Sequence, residues 1–406
     1  MNRRDFLVPA TSASSLAAVG CRHRPNAAAA PRLFFTSDGR IAVIRADGSG
    51  LHYFDFQVPG QATWQPGPFL SDGRVIFLSM EPRRDGPGRP FEEFYTQTPT
   101  HLWLHDLDRG TLTEIANRER LAVFYTPALL LSNERILVQV VHNKVGQIFS
   151  MNLDGTDARE FTQAGEGLPY GLSLSPDGKR VAFHLASPRG YDIWTCAADG
   201  TDRIRVAGDP QHLYFGTSWS PDGHWILYQD CHFKDDPGHD WADLCIGRPD
   251  GSEHRVLTRG QANWFGATYG NPQLRGGGSN MPLWNRAGHI LFARRPPDAK
   301  VPWEFQPQRT DTDHFNRDYK PESSRGGTQI CRLDPVTGTL TELTPLVAGV
   351  WDCRAAESPD ANHIVFCRAA TGEMASLWVM NADGSEPRLL TRGFNERGAD
   401  HPRWVP

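Results

Sequence analysis

Apolar and polar residues alternate along most of this chain in short runs, and the runs come in pairs around tight turns. "HLWLHDLDRGTLTEIA" (101–116), "QIFSMNLDGTDAREFT" (147–162) and "DIWTCAADGTDRIRVA" (192–207) share this layout with "DLCIGRPDGSEHRVLT" (243–258), "QICRLDPVTGTLTELT" (329–344) and "SLWVMNADGSEPRLLT" (376–391). Apolar residues at every second position on both sides of a Gly-containing turn predict a β-hairpin. A second hairpin precedes each one, around "LSDGRVIFLS", "LSNERILVQV", "SPDGKRVAFHL", "SPDGHWILYQD", "NRAGHILFAR" or "SPDANHIVFCR". Asp and Gly supply the tight-turn dihedrals, and Ser and Pro shape the entry, so these turns are architecture rather than chemistry. Two hairpins per repeat predict a four-stranded antiparallel propeller blade.

Six such blades are complete, and the ends of the chain supply a seventh. "HPRWVP" (401–406) reads as an innermost strand with nothing after it, and "RLFFTSDGRIAVIRADGSGLHYFDF" (32–56) as three outer strands with nothing before them. Joining them removes two open sheet edges. The expectation is an all-β, seven-bladed β-propeller over 32–406, closed by N- and C-terminal strands sharing one blade. The alternative is six blades with an irregular terminal segment.

The pattern "SPDG…I.F…LW…DGS..R.LT" over about residues 32–405 resembles the TolB-type propeller repeat family. That resemblance implies the fold and leaves the activity open. Seven blades without an added domain are similar to the oligogalacturonate lyase family, whose members use a metal held by His and Gln on the propeller face. Asp400-His401-Pro402 stands where that family tends to place a metal-binding His pair, with Arg403 in place of the second His. No "HExW" stretch opens a strand. The cofactor that a lyase reading implies is a divalent cation, Ca or Mn.

Composition narrows the classes. The chain is 39% apolar and 22% charged, with 39 Gly and 31 Pro, which suits many turns rather than long helices. A net charge of −5 without a basic block argues against a nucleic-acid partner. Residues 1–20 read as an export signal: Arg3-Arg4, then Phe6-Leu7, then a weakly apolar stretch resembling a twin-arginine leader. Ala18-Val19-Gly20-Cys21 resembles a lipoprotein cleavage box, which makes Cys21 the lipidated residue and 21–31 a flexible tether. The expected location is periplasmic or cell-surface, on a membrane through the lipid. A disordered or merely membrane-anchored N-terminus is the alternative. Of the other cysteines none forms CxxC, so a thiolate zinc site is not expected. Cys196, Cys245 and Cys331 fall at equivalent repeat positions suited to small buried residues, and Cys353 and Cys367 fall on adjacent strands, their disulfide state open.

Strand order places the short SPDG and DGS turns on one face and the long segments 81–100, 231–242, 259–280 and 295–327 on the other. Structureless loops of that length usually bind something. Strand ends on that face bring Tyr125, His142, Tyr170, His184, Tyr214, Asp230, Arg294, Trp351, Arg354, Arg368, Asp400 and His401 to the channel mouth. Loop residues His232, Trp303, Glu304, Asp313 and His314 lean over them. A strand-end His such as His142 or His184 is more often a hydrogen-bonded packing residue than a ligand, and Trp64, Trp194, Trp219 and Trp378 lie inside strands and read as core.

Three readings of that face follow. One is binding of a glycan or protein partner. A second is a polysaccharide lyase, with Arg294, Arg354 or Arg368 neutralising a uronate and His401, His184 or Tyr170 removing a proton. A third, a glycoside hydrolase, needs facing carboxylates such as Asp230 with Asp313 or Glu304. No GxSxG elbow or HExxH is present, which excludes those hydrolase classes.

Overall fold

A computed structural model describes residues 30–54, 60–80, 100–115, 128–142, 145–187, 190–231, 240–306 and 317–406. Cys21 and the leader lie outside them. Pro31–Pro406 forms one compact unit. Among the described residues nearly all regular structure is strand, with two 3₁₀ turns at Pro321–Ser323 and Phe394–Glu396. No described helix is long and apolar enough to cross a membrane.

The described residues form five four-stranded sheets, one nine-stranded sheet and two two-stranded hairpins. A typical four-stranded sheet runs in chain order through Leu168–Leu174, Arg180–Ser187, Gly190–Ala197 and Ile204–Ala207, all antiparallel. The nine-stranded sheet holds two such runs. One is Tyr214–Trp219, Ile226–Asp230, Trp241–Gly247 and His254–Val256; the other is Leu283–Trp284, Ile290–Arg294, Gln329–Leu333 and Leu340–Glu342. Asn263–Trp264 joins them by pairing with both Trp241–Gly247 and Ile290–Arg294.

The first sheet draws on both ends of the chain. Arg32–Ser37, Arg40–Arg45 and His52–Phe54 take their fourth strand from Asp400–Trp404, with Leu33 opposite Trp404, Phe34 opposite Arg403 and Thr36 opposite Asp400. Val405 N–H donates to Arg32 O at 2.9 Å. The two end segments pair as their sequences require.

Near-continuous apolar strands follow from sheets buried on both faces. Val75–Met80 is buried throughout. Phe34 and Ile41 pack on Val75 and Phe77; Ile76 and Leu102 on Ile136 and Val138; Leu137 and Ile148 on Val181 and Phe183. Ala182 and Ile193 meet Ile226 and Tyr228, and Leu227 and Leu244 meet Ile290 and Phe292. Cys196, Cys245 and Cys331 are fully buried thiols in these seams, where a small residue fits. Cys353 and Cys367 sit directly opposite each other on adjacent strands as free thiols. Trp219 is buried, Trp194 and Trp378 are half-buried, and the Trp64 side chain lies outside the described residues.

Short turns gather on one side, as in Gly178 N–H to Ser175 O (2.9 Å) and Gly200 N–H to Ala197 O (2.8 Å). Arg32 lies with them, its guanidinium 3.0 Å from Asp108 in the turn after Thr100–Asp106. The long segments are less irregular than expected. Residues 259–280 contain a hairpin, Gly266–Asn271 against Leu274–Ser279, in full register. Glycine disguises the second strand because it has low strand propensity. Contact demands it there: a Cβ at Gly276 would meet the Tyr269 ring at 2.3 Å, and one at Gly277 would meet Ala267 O at 2.6 Å. Likewise 295–327 carries the pair Trp303–Phe305 and Arg317–Tyr319.

Candidate functional site

Four inner strands share one irregularity. Register shifts fall between Tyr170 and Ser173, Phe215 and Ser218, and Cys353 and Ala356. In the shared sheet Asp400 and Arg403 face Thr36 and Phe34, so two residues again oppose one. Each bulge places the first of its two unpaired residues at left-handed φ: Gly171 at 66°, Gly216 at 69°, Arg354 at 53° and His401 at 51°. Such a bulge re-aims a side chain away from the pleat. Glycine takes this conformation freely, whereas Arg354 and His401 each carry a cost of roughly 1–3 kcal/mol. The two positions that accept that cost are the two that carry chemistry.

The bulges border a cavity of about 310 Å³, whose lining includes Tyr170, Phe215, Thr217, Ser279, Arg354, His401 and Arg403. A second cavity, of about 260 Å³, reaches Thr36, Tyr269, Arg275, Met374 and Asp400. His401 lines both. The hairpin over 266–279 covers this region. Its Tyr269 hydroxyl donates to Asp400, and Asn271 Nδ2 donates to Gly372 O at 2.9 Å.

Asp400 is the hub. Arg354 Nη1 lies 3.1 Å from its Oδ1, the His401 N–H donates to it at 2.7 Å, and Cys367 Sγ lies 3.5 Å away. Burial pushes its carboxyl up to about 8 against the pull of the His401 N–H. The Arg354 guanidinium acts in the same downward sense as that N–H. Burial, then the charges of Arg354 and Arg403, hold the His401 imidazole well below its usual value, so the ring is neutral at neutral pH. Its Nδ1 is 3.5 Å from Thr36 Oγ1 and 3.5 Å from Asp400 Oδ2. The Arg354 side chain is 7% exposed, and its buried Nη2 has no hydrogen-bond partner. Its backbone N–H is fixed by Asn280 Oδ1 at 2.8 Å. Arg403, exposed within the cavity wall, has no acidic partner among the described residues.

The structure therefore brings Arg354, Asp400, His401 and Tyr170 to one place. Other expected residues are engaged elsewhere. His184 is fully buried, its ring centroid 3.6 Å from that of Tyr170 and 4.4 Å from that of Phe215, and its Nδ1 accepts the Gly216 N–H at 3.2 Å. Burial drops its pKa to about 3, which makes it a neutral packing residue. Arg294 pairs with Glu342 at 2.9 Å. Arg368 forks onto buried Asp352 at 2.7 and 2.8 Å and stacks on Phe366 and Trp378. Asp230 is held by His212 at 2.6 Å, with Tyr214 stacked on that ring. Trp351 donates to Thr371, Trp303 lies between Arg275 and Tyr319, and Glu304 pairs with Lys300 at 3.0 Å. Tyr125, His232, Asp313 and His314 lie outside the described residues, as does the side chain of His142 at the end of Arg135–His142.

Sequence reasoning missed Tyr269, Arg275 and Thr36, and treated Arg403 only as a departure from a His pair. The alternation in "GATYGN" was the available signal for Tyr269. A divalent cation does not fit the residues present. Asp400 and His401 are flanked by two guanidinium groups, and the described residues contain no group of three His, Cys, Asp or Glu able to hold a metal.

No family model matches the sequence, and no curated protein matches it. Solved structures do. A puromycin hydrolase aligns with TM-score 0.55 at 14% identity, covering 89% of this chain and 52% of that one, so this chain spans about half its length. TolB from Acinetobacter baumannii aligns with TM-score 0.46 at 15% identity, covering 93% and 83%. An oligogalacturonate lyase in complex with manganese aligns with TM-score 0.48 at 12% identity, covering 81% and 79%. At such identities likeness speaks for fold, and the fold is a β-propeller.

Proposed function

We propose that this chain is an exported, lipid-anchored, seven-bladed propeller that binds a glycan or protein partner at the axial cavity beneath the 266–279 hairpin. Five separate sheets and the two runs of the nine-stranded sheet support a reading of seven blades. Contacts onward from the sixth to the seventh and first, such as Arg332 to Ala382 O (3.4 Å) and Trp404 to Ala356 O (2.9 Å), support a closed ring. The observation that carries the binding reading is the placement of strained Arg354 and His401 on a cavity at the inner sheet edges. Concave sites with a few convergent polar groups are where ligands bind.

A uronate lyase is the second reading, favoured by one observation: two guanidiniums and a neutral imidazole share the cavity. Arg354 and Arg403 would neutralise the carboxylate, and His401 would accept the C5 proton. The chain purified without its leader separates the two when screened against polysaccharides, with and without Ca²⁺ or Mn²⁺. The binding reading predicts retention of a ligand without a rise in ultraviolet absorbance. A rise from unsaturated ends, abolished by His401→Gln, contradicts it and establishes the lyase.

A further inference from the structure

We infer that the axial cavity is an anion site, built to take one carboxylate of a small organic ligand between Arg354 and Arg403. This rests on reading that cavity as the binding site and names the chemistry it selects.

Three observations converge. First, Arg354 Nη2 is buried without a partner while Nη1 is engaged by Asp400. A buried charged donor left unsatisfied is costly, and native structures rarely retain one without a use. Second, the space beside it is kept open. A Cβ on Gly278 would stand 3.2 Å from Arg354 Nη2 and 3.9 Å from His401 Nε2, with no other atom within 4 Å. Gly278 has φ of 129°, a conformation that side chains resist, so this gap between two ring and guanidinium nitrogens stays clear. Third, the charges do not balance. Among the described residues the lining of this cavity holds Arg354 and Arg403 and no acid, and Asp400 engages Arg354 at Nη1, so the cluster is cationic in either protonation state of that carboxyl.

Charge and shape select the anion. Whether Asp400 is ionised or protonated, the pocket carries positive charge that an anion offsets. Guanidinium forks match the planar carboxylate geometry. The remaining volume, lined by Tyr170 and Phe215 and by the hydroxyl-bearing Thr217 and Ser279, takes a body that is partly apolar and partly hydroxylated.

The test uses the full chain at constant ionic strength, with chloride as the reference salt. Acetate and D-glucuronate are titrated against D-glucose and inorganic phosphate, reading the thermal unfolding midpoint and calorimetric heat. Both carboxylates are expected to raise the midpoint, with glucose at least about tenfold weaker than glucuronate. Arg403→Gln, at an exposed side chain without an acidic partner, is expected to keep the unliganded midpoint and weaken glucuronate about tenfold. Arg354→Gln should weaken glucuronate likewise, at a lower unliganded midpoint because it breaks the pair with Asp400; if it fails to fold, Arg403→Gln decides. No response to either carboxylate overturns the inference. So does a stronger response to phosphate, an equal response to glucose, or an Arg403→Gln protein that binds glucuronate as the wild type does. A glycan or protein partner retained equally by wild type and Arg403→Gln, and not displaced by acetate, leaves the binding function standing and removes only this inference.

Discussion

A chain ending at Ala399 is expected to lose cooperative folding. Deleting 400–406 strips the fourth strand from the first sheet and leaves Leu33, Phe34 and Thr36 without their partners. It removes Trp404 and Val405, both buried, and the indole bond to Ala356 O at 2.9 Å. It also takes Asp400 from Arg354 and Tyr269. Loss of a buried Trp alone costs about 3–5 kcal/mol, and a buried guanidinium left without its acid costs about as much again. Against a total stability of about 5–15 kcal/mol, the sum is enough to unfold the domain. The exposed edge of Arg32–Ser37 would then promote association. Urea titration followed by tryptophan fluorescence, with size-exclusion chromatography, checks this. A monomeric, cooperatively folded truncation contradicts the structural role given to the last strand.

Mild acid is expected to destabilise the protein through His184. Its folded pKa is about 3, below the ordinary 6.5, so between those values the unfolded chain binds the extra proton. The contribution is whole above pH 6.5 and is lost as pH falls toward 3, by roughly 1.4 kcal/mol per pH unit. Asp400 acts oppositely, because burial raises its carboxyl to about 8 and its protonation favours the folded state as pH falls. The comparison that isolates His184 is therefore between wild type and His184→Gln, with urea midpoints at pH 6.5 and 4.5. The wild type should lose more stability than the variant over that interval, by roughly 1.4 kcal/mol for each pH unit. Parallel losses in the two proteins would show that His184 is not held neutral by burial.

The fold was legible because its turns are. Asp-Gly corners recur at fixed spacing, and the orphan strand "HPRWVP" has the alternation that the first sheet lacks. Arg354, Asp400 and His401 were legible as the starts of inner strands. What made them special was not, since a bulge with left-handed φ shows in sequence only where glycine marks it, as in "YGLS" and "FGTS". In "CRAA" and "DHPR" the same backbone is hidden under side chains. Non-local pairing defeated other assignments. Nothing near Arg368 or Arg294 in the chain announces Asp352 or Glu342 as a partner, and these bonds draw both arginines away from the cavity. Tyr269 escaped notice because close backbone approach required the glycines that disguised its hairpin.

Everything assigned to the axial cavity depends on the two ends of the chain meeting in one sheet. Amide hydrogen exchange under native conditions reads that meeting directly. Amides 33–36 should open only with global unfolding, with the same free energy and urea dependence as the interior strand Ile226–Asp230. Exchange of 33–36 through a low-energy local opening, while 226–230 stays protected, would mean that the last strand is not an integral part of the sheet and that the cavity is not built as described.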